Sequence, residues 1–131
     1  MLRSVLAVVI GYLLFGLSAF AFFRLSGHDP HAPASAAFMI LSVVYGVVFA
    51  IGGGYLAAWI AGKFEIEHAF AVATLVAAIG AASYIAEAPG DSKWTQLSGI
   101  LIIAPAAILG GYLRRRQLRT KLLDLRRSRH E

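Results

Sequence analysis

The residues best suited to chemistry in this chain of 131 residues are imidazoles and carboxylates in two short polar segments. His28, Asp29 and His31 lie in the first segment. Glu87 and Asp91 lie in the second. Such side chains are ligands for Zn, Cu or Ni, but their spacing here matches no recognised metal signature. Polar loops beside apolar segments also need them simply to stay hydrated. We therefore predict no metal site, and whether the five side chains converge stays open.

A third histidine, His68, stands beside Glu65 and Glu67 at the start of an apolar segment. A haem held within a bilayer usually needs a histidine well inside a helix, so we predict no cofactor and an interfacial hydrogen bond for His68. The chain has no cysteine, which excludes thiol nucleophiles, disulfides and cysteine-based metal centres. With no catalytic set in view, we predict that the protein is not an enzyme.

The segments on either side of these residues are strongly apolar. Hydrophobic residues make up 59% of the chain and charged residues 15%, against about 25% charged in a typical soluble domain. Runs of about 20 apolar residues suffice to cross a bilayer as helices. The pattern predicts an all-α membrane protein, a four-helix bundle running up-down-up-down. The expected spans are about 4–23, 34–62, 68–86 and 95–113, which form one domain (1–113) followed by a cytoplasmic tail (114–131).

The distribution of positive charge predicts the orientation of this bundle. Cytoplasmic loops of membrane proteins are enriched in Lys and Arg. Ten of the twelve Lys and Arg residues lie in the N-terminus, the middle loop or the tail, whereas Arg24 and Lys93 lie in the other two loops. We therefore expect both termini on the cytoplasmic side.

Small residues recur every four positions in the second and third segments. Without a hydrophobic drive between helices in lipid, such ridges are a main source of close association. We expect the two ridges to pack face to face, although a homodimer or a larger partner could use them instead. The ridge residues are Gly46, Ala50, Gly54, Ala58 and Gly62 in the second segment and Ala69, Ala73, Ala77 and Ala81 in the third.

Segments 50–56 and 107–113 resemble each other, since both combine alanine, isoleucine and glycines before Tyr-Leu. Two tandem helical hairpins would produce this repeat, and so would chance recurrence of common membrane residues. Pro105, in the fourth segment, removes the hydrogen bond to the carbonyl of Leu101, which predicts a kink. No expected span contains Asp, Glu, Lys or Arg, and the one histidine within a span, His68, lies at its surface end, which argues against proton-coupled transport.

The tail combines leucines at helical spacing with a high density of positive charge, which is typical of a basic amphipathic helix. We expect it to lie on the inner leaflet against anionic headgroups, with docking to a cytoplasmic partner as the alternative. Nucleic-acid binding is not expected, because aromatic residues for base stacking are missing. The predicted contact residues are Arg114, Arg115, Arg116, Arg119, Lys121, Arg126, Arg127 and Arg129.

The run from Gly53 to Lys63, followed by His68, Trp94, Pro105 and the segment 110–114, resembles a group of small bacterial four-pass membrane proteins. In that group the second helix ends in a similar Gly-Gly-Tyr-x-Ala-Ala-x-Ile-Ala-Gly run. Trp59 departs from the small or basic residue expected at its position. The group has no established activity, so the resemblance implies a bacterial inner-membrane location and no mechanism.

Two functions follow as hypotheses. The first is a structural or accessory membrane protein that acts through helix packing, as a homo-oligomer or within a larger complex. The second is a passive channel or carrier for a small neutral or apolar solute, with a path near Pro105 and the glycines 52–54. A polar cavity in the bundle would favour the second hypothesis, and dry contacts between small residues would oppose it.

Overall fold

The computed structural model describes residues 1–129 and contains four long helices. They are α1 (Leu2–Ser26), α2 (Ala36–Ala61), α3 (Glu65–Ala86) and α4 (Trp94–Ser128). All four are long and apolar enough to cross a membrane, and no strand occurs within the described residues. The predicted all-helical class and the four membrane-type helices are confirmed.

The helix ends follow from local signals. Gly27 and Gly62 end α1 and α2 with φ of 69° and 71°, which a glycine adopts without strain. Ser35 caps α2, because its hydroxyl accepts a hydrogen bond from the Phe38 N–H at 3.2 Å. Helix α3 begins at Glu65, three residues before the expected start of the third span. Its N-cap residue Phe64 has φ of 52°, so the chain reverses within a very short turn.

Contacts between distant residues define two ends of the bundle. At the first, which we call the turn end, Arg3 Nε donates to the Ile60 carbonyl at 2.6 Å, and Tyr55 Oη donates to Gln117 Oε1 at 2.7 Å. The second, the loop end, comprises residues 27–35 and 87–93. There the Ser92 N–H donates to the His31 carbonyl at 2.9 Å. The two loops therefore meet each other.

Helix α4 differs from expectation in its length. The sequence predicts a span over 95–113 and a separate tail, but the helix continues past residue 113 to Ser128. At 1.5 Å per residue its 35 residues extend for about 52 Å. The basic segment from Arg114 is therefore a direct extension of the fourth helix, and the last two residues of the predicted tail, 130 and 131, lie outside the described residues.

A π-helical turn, Gly99–Ile103, interrupts the α-helical geometry of α4. Within it the Ala104 N–H bonds the Gly99 carbonyl, five residues earlier. Pro105 lies immediately beyond this turn. It lacks the N–H that would bond the Leu101 carbonyl, so the disturbance falls where the sequence predicts one, in the form of a wider turn.

The core of the turn-end half is built from small side chains. The largest fully buried side chain among the described residues is Val72, and Ala7, Ala50, Ala57, Ala58, Ala69 and Ala107 have no exposed surface. A Cβ added to Gly11 would lie 2.5 Å from the Gly53 carbonyl oxygen, so α1 and α2 meet backbone to backbone. Close approach of this kind is how helices associate in lipid.

The expected pairing of the two small-residue ridges is wrong for two of its glycines. A Cβ on Gly46 would lie 2.6 Å from Ile103 Cδ1, and one on Gly54 would collide with the Ala107 backbone. Both glycines therefore face α4. In return, a Cβ on Gly110 would collide with the Ile51 carbonyl. The two segments that resemble each other in sequence thus pack on one another, an arrangement that periodicity along one helix cannot reveal.

The remaining ridge residues divide between core and periphery. Ala50 and Ala73 share one buried cluster with Val72 and Val76, so α2 and α3 do contact each other. Ala69 lies against Gly111 of α4. Ala58 is fully buried, Ala77 and Ala81 are half-buried, and Gly62 is exposed at the end of α2.

Candidate functional site: a cavity at the loop end

The loop-end half of the bundle contains a cavity of about 270 Å³. This volume lies just below the range of roughly 300–1,000 Å³ that is usual for small-molecule sites. All four helices contribute to the wall, and most of the wall is apolar. The aromatic lining residues are Tyr12, Phe15, Phe22, Phe23, Tyr45 and Trp94.

The aromatic wall is held together by ring contacts between helices. The rings of Phe22 (α1) and Tyr45 (α2) have centroids 4.6 Å apart, and Phe22 also stacks on Phe38 at 5.6 Å. The Tyr45 hydroxyl donates to the Ser18 carbonyl at 3.2 Å. Since each ring pair adds stabilisation beyond burial, these contacts keep α1 and α2 joined where glycine packing has ended.

The π turn of α4 forms part of the cavity floor. Gly99 and Ile103, its first and last residues, both line the cavity, whereas Pro105 does not line it and is exposed. Turns of this kind frequently occur at functional sites. The cavity does not include Pro105 or the glycines 52–54, near which we expected a solute path, and Gly53 and Gly54 are packed against backbone atoms.

The loops close the cavity through hydrogen bonds to backbone carbonyls. Trp94 Nε1 donates to the Ala32 carbonyl at 3.1 Å, and the Thr95 hydroxyl donates to the Pro30 carbonyl. Pro30 and His31 themselves line the cavity. The first polar loop is thus part of the wall and is fixed to the start of α4.

A cluster of polar side chains lies at this loop-fixed wall. Gln96 is only 6% exposed, and its Nε2 donates to Glu87 Oε1 and, at 3.4 Å, to the Ser83 hydroxyl. His31 Nδ1 lies 2.8 Å from Glu87 Oε1. The Glu87 side chain retains 3% of its surface, although its residue follows the last turn of α3. Gln96, His31 and Ser83 line the cavity, and Glu87, which contacts Gln96 and His31, is not among the lining residues.

Of the five loop residues, His31 and Glu87 therefore converge, and His28, Asp29 and Asp91 have other partners. His28 stacks on Phe38 with centroids 3.7 Å apart. Asp29 accepts from the His31 N–H at 2.9 Å, and Asp91 accepts from the Ala88 N–H at 3.2 Å. Within residues 1–129 no group of three such side chains is placed to hold a metal ion.

His68 and the basic residues of the α4 extension lie outside this polar cluster. His68 is 9% exposed, and its Nδ1 lies 2.8 Å from the Phe64 carbonyl of its own helix turn. The Arg114 guanidinium lies 6.0 Å from the centroid of the Tyr55 ring and is half-buried. The other predicted contact residues, Arg115, Arg116, Arg119, Lys121, Arg126, Arg127 and Arg129, are exposed.

Sequence reasoning missed Gln96, the burial of Glu87 and the π turn. A signal existed for the first two. Gln96 is a polar amide just inside the fourth apolar segment, and Glu87 follows the third segment directly. A lipid-facing position would hold neither, because unpaired polar groups in hydrocarbon are unfavourable. Comparisons of the chain with protein-family models, curated proteins and solved structures found no match.

Proposed function

We propose that this chain is a non-enzymatic four-span membrane protein that binds a small, mainly apolar molecule in the loop-end cavity. The observation that carries the proposal is a cavity of about 270 Å³ with aromatic walls and one polar wall, lined by all four helices. Pockets that are mostly apolar with a few fixed polar groups are the usual form of small-molecule sites. This develops the carrier hypothesis drawn from the sequence.

We propose that the ligand binds in the cavity and does not pass through the bundle, because the described residues leave no continuous channel from the cavity to the turn end. Below the cavity, Gly54 meets Ala107 and Gly110 meets Ile51 through backbone atoms. Gly111 meets the Glu65 carbonyl near the turn end in the same way. Contacts this close leave no room for a solute, so a ligand would enter and leave from the loop-end half.

We further propose that the loop end faces the outside of a bacterial cytoplasmic membrane. Ten of the twelve Lys and Arg residues lie near the turn end or on the extension of α4, and Arg24 and Lys93 lie near the loops. This asymmetry supports a cytoplasmic turn end. The bacterial location is a prediction from the family resemblance.

An accessory role in a larger complex or a homo-oligomer is the second candidate. Its original motivation, the ridge on α2, is weaker because Gly46, Gly54 and Ala58 are buried within the bundle. The observation that favours it now is the basic extension of α4, where Leu122, Leu123 and Leu125 are exposed. A partner or the lipid surface would cover these leucines.

Fluorescence of Trp94 tests the binding proposal, because this residue lines the cavity whereas Trp59 is 53% exposed on α2. A Trp59→Phe protein in lipid nanodiscs is titrated with bromobenzene, a heavy-atom quencher. We expect saturable quenching of Trp94. Empty nanodiscs correct for partitioning of the probe into lipid.

Two matched variants complete the test. Ala19→Phe fills the cavity from α1, and Ala82→Phe adds the same ring to an exposed position on α3. Saturable quenching should survive in Ala82→Phe and disappear in Ala19→Phe. Equal, non-saturating quenching in all proteins would mean partitioning alone and would overturn the proposal.

A further inference from the structure

The polar wall of the cavity holds two buried acceptor atoms that have no hydrogen-bond partner within the protein. They are Gln96 Oε1 and Glu87 Oε2. An unpaired buried acceptor is unfavourable, and native structures contain few of them. Two such atoms on neighbouring residues at one cavity indicate a role in binding a hydrogen-bond donor.

The orientation of the Gln96 amide follows from its neighbours. Its Nε2 lies beside Glu87 Oε1, 3.2 Å from His31 Nδ1 and 3.4 Å from the Ser83 hydroxyl. A flipped amide would place a carbonyl oxygen against a carboxylate oxygen, which repel each other. The network therefore fixes Nε2 toward Glu87, and Oε1 is the group left to accept a hydrogen bond.

Glu87 does not line the cavity itself, but it places a carboxylate against Gln96 and His31 of this wall. Its Oε1 is shared by His31 and Gln96, while its Oε2 stays unpaired. Among the described residues His31 is the one basic side chain within ion-pair distance of Glu87, and the Lys93 ammonium lies 4.2 Å over the centroid of the Tyr84 ring. With 3% of its side chain exposed, Glu87 is poorly hydrated, and a buried carboxylate of this kind favours a cation nearby.

The aromatic walls of the cavity suit the apolar part of a cationic ligand. Phe15, Phe22 and Tyr45 present aromatic surface to the cavity. Aromatic faces attract ammonium groups and also accommodate apolar carbon skeletons. A ligand with an ammonium at one end and an apolar body at the other would match both walls.

We infer that the cavity selects a small apolar primary amine whose ammonium donates to Gln96 Oε1 beside the Glu87 carboxylate. The apolar body of the amine lies between Phe15, Phe22 and Tyr45. This inference rests on the proposed binding function and names its ligand class.

Three probes of nearly equal size and different head groups test the inference: phenethylamine, phenethyl alcohol and phenylacetate. Each is titrated into the Trp59→Phe protein in nanodiscs of zwitterionic lipid, with Trp94 fluorescence as the signal. We expect the amine to bind at least tenfold more tightly than the alcohol, which donates one hydrogen bond and carries no charge. Phenylacetate should bind at least a hundredfold more weakly than the amine.

Two variants separate charge from hydrogen bonding. Glu87→Gln keeps the size of the side chain and removes its charge, so the preference for amine over alcohol should fall about tenfold. Gln96→Leu removes the acceptor and should weaken amine and alcohol alike. Glu65→Gln removes the same charge at the turn end and should leave all three affinities unchanged. Thermal unfolding in the same nanodiscs confirms that each variant is folded.

The outcomes distinguish this inference from the proposed function. Saturable bromobenzene binding together with equal affinities for the three probes would overturn the amine preference and leave the cavity as a binding site. An unchanged amine preference in the folded Glu87→Gln protein, or an unchanged amine affinity in the folded Gln96→Leu protein, would also overturn it. Absence of saturable binding for bromobenzene and every probe would overturn the proposed function itself.

Discussion

The two halves of this bundle use the same four helices for opposite purposes. Toward the turn end, helices meet through glycine and alanine, and the largest fully buried side chain is Val72. Toward the loop end, aromatic rings and loop hydrogen bonds keep the helices apart around a cavity of about 270 Å³. Small residues bring backbones together, and large rings space them. Residue size along each helix thus determines where the interior is closed and where it is open.

Adding one methyl group to the closed half should give the largest effect. Gly54→Ala would place its Cβ against the Ala107 backbone, which has no flexible side chain to move aside. We expect a loss of about 3 kcal/mol in the free energy of unfolding, the upper end of typical overpacking. The measurement is SDS-induced unfolding in mixed micelles.

Gly52→Ala is the control for that change, two residues away on the same helix. Its Cβ would lie 3.6 Å from Leu14 Cδ2, an ordinary contact. We expect it to be neutral or to stabilise by up to about 1 kcal/mol, because alanine favours helix more than glycine does. Equal destabilisation by the two substitutions would contradict the distinction between a closed face and an open one.

A phenylalanine introduced at two positions of α1, one in each half of the bundle, should affect stability differently. Ala7 has no exposed surface and lies in the closed half, whereas Ala19 lines the cavity. Ala7→Phe should destabilise by about 3 kcal/mol, since the ring has no space to occupy. Ala19→Phe should change stability by less than about 1 kcal/mol, because the ring enters existing space. Thermal unfolding in one detergent compares them, and similar melting temperatures would remove the contrast.

The smallest effect concerns the hydrogen bond that fixes the first loop to α4. Trp94→Phe keeps an aromatic ring and loses the 3.1 Å bond from Nε1 to the Ala32 carbonyl. We expect a loss of about 1 kcal/mol in unfolding free energy. Trp59→Phe, at an exposed position, should stay within about 0.5 kcal/mol. Hydrogen exchange at residues 27–35 should increase in the first variant and be unchanged in the second.

The sequence was sufficient to predict the four helices, because long apolar runs have few other stable structures in a chain of this composition. It could not assign the partner of the α2 ridge. Gly46 and Gly54 show that a helix of small residues can pack closely, but the neighbour depends on the rotation of every helix. Two glycines of the ridge, Gly46 and Gly54, contact α4, whereas the sequence predicted contact with α3.

The site was harder to predict for a related reason. Glu87 and His31 are 56 positions apart, in two polar segments of the sequence, yet they lie 2.8 Å from each other and the Glu87 side chain is 3% exposed. Polar residues next to membrane spans usually remain hydrated, so burial becomes visible only when two loops are known to meet. Pro105 marked the disturbed region of α4, but a missing donor does not specify a π turn.

The uninterrupted length of α4 controls how its positive charges meet a membrane. Along the helix axis, Arg126 lies about 20 Å beyond Leu113, at 1.5 Å per residue. Electrostatic attraction in physiological salt decays over about 8 Å. A helix that continues upright brings Arg114, Arg115 and Arg116 to the headgroups and carries the later arginines into the surrounding solution. Most of the positive charge of the tail would then lie in solution, too far from the membrane surface to contact the lipid headgroups.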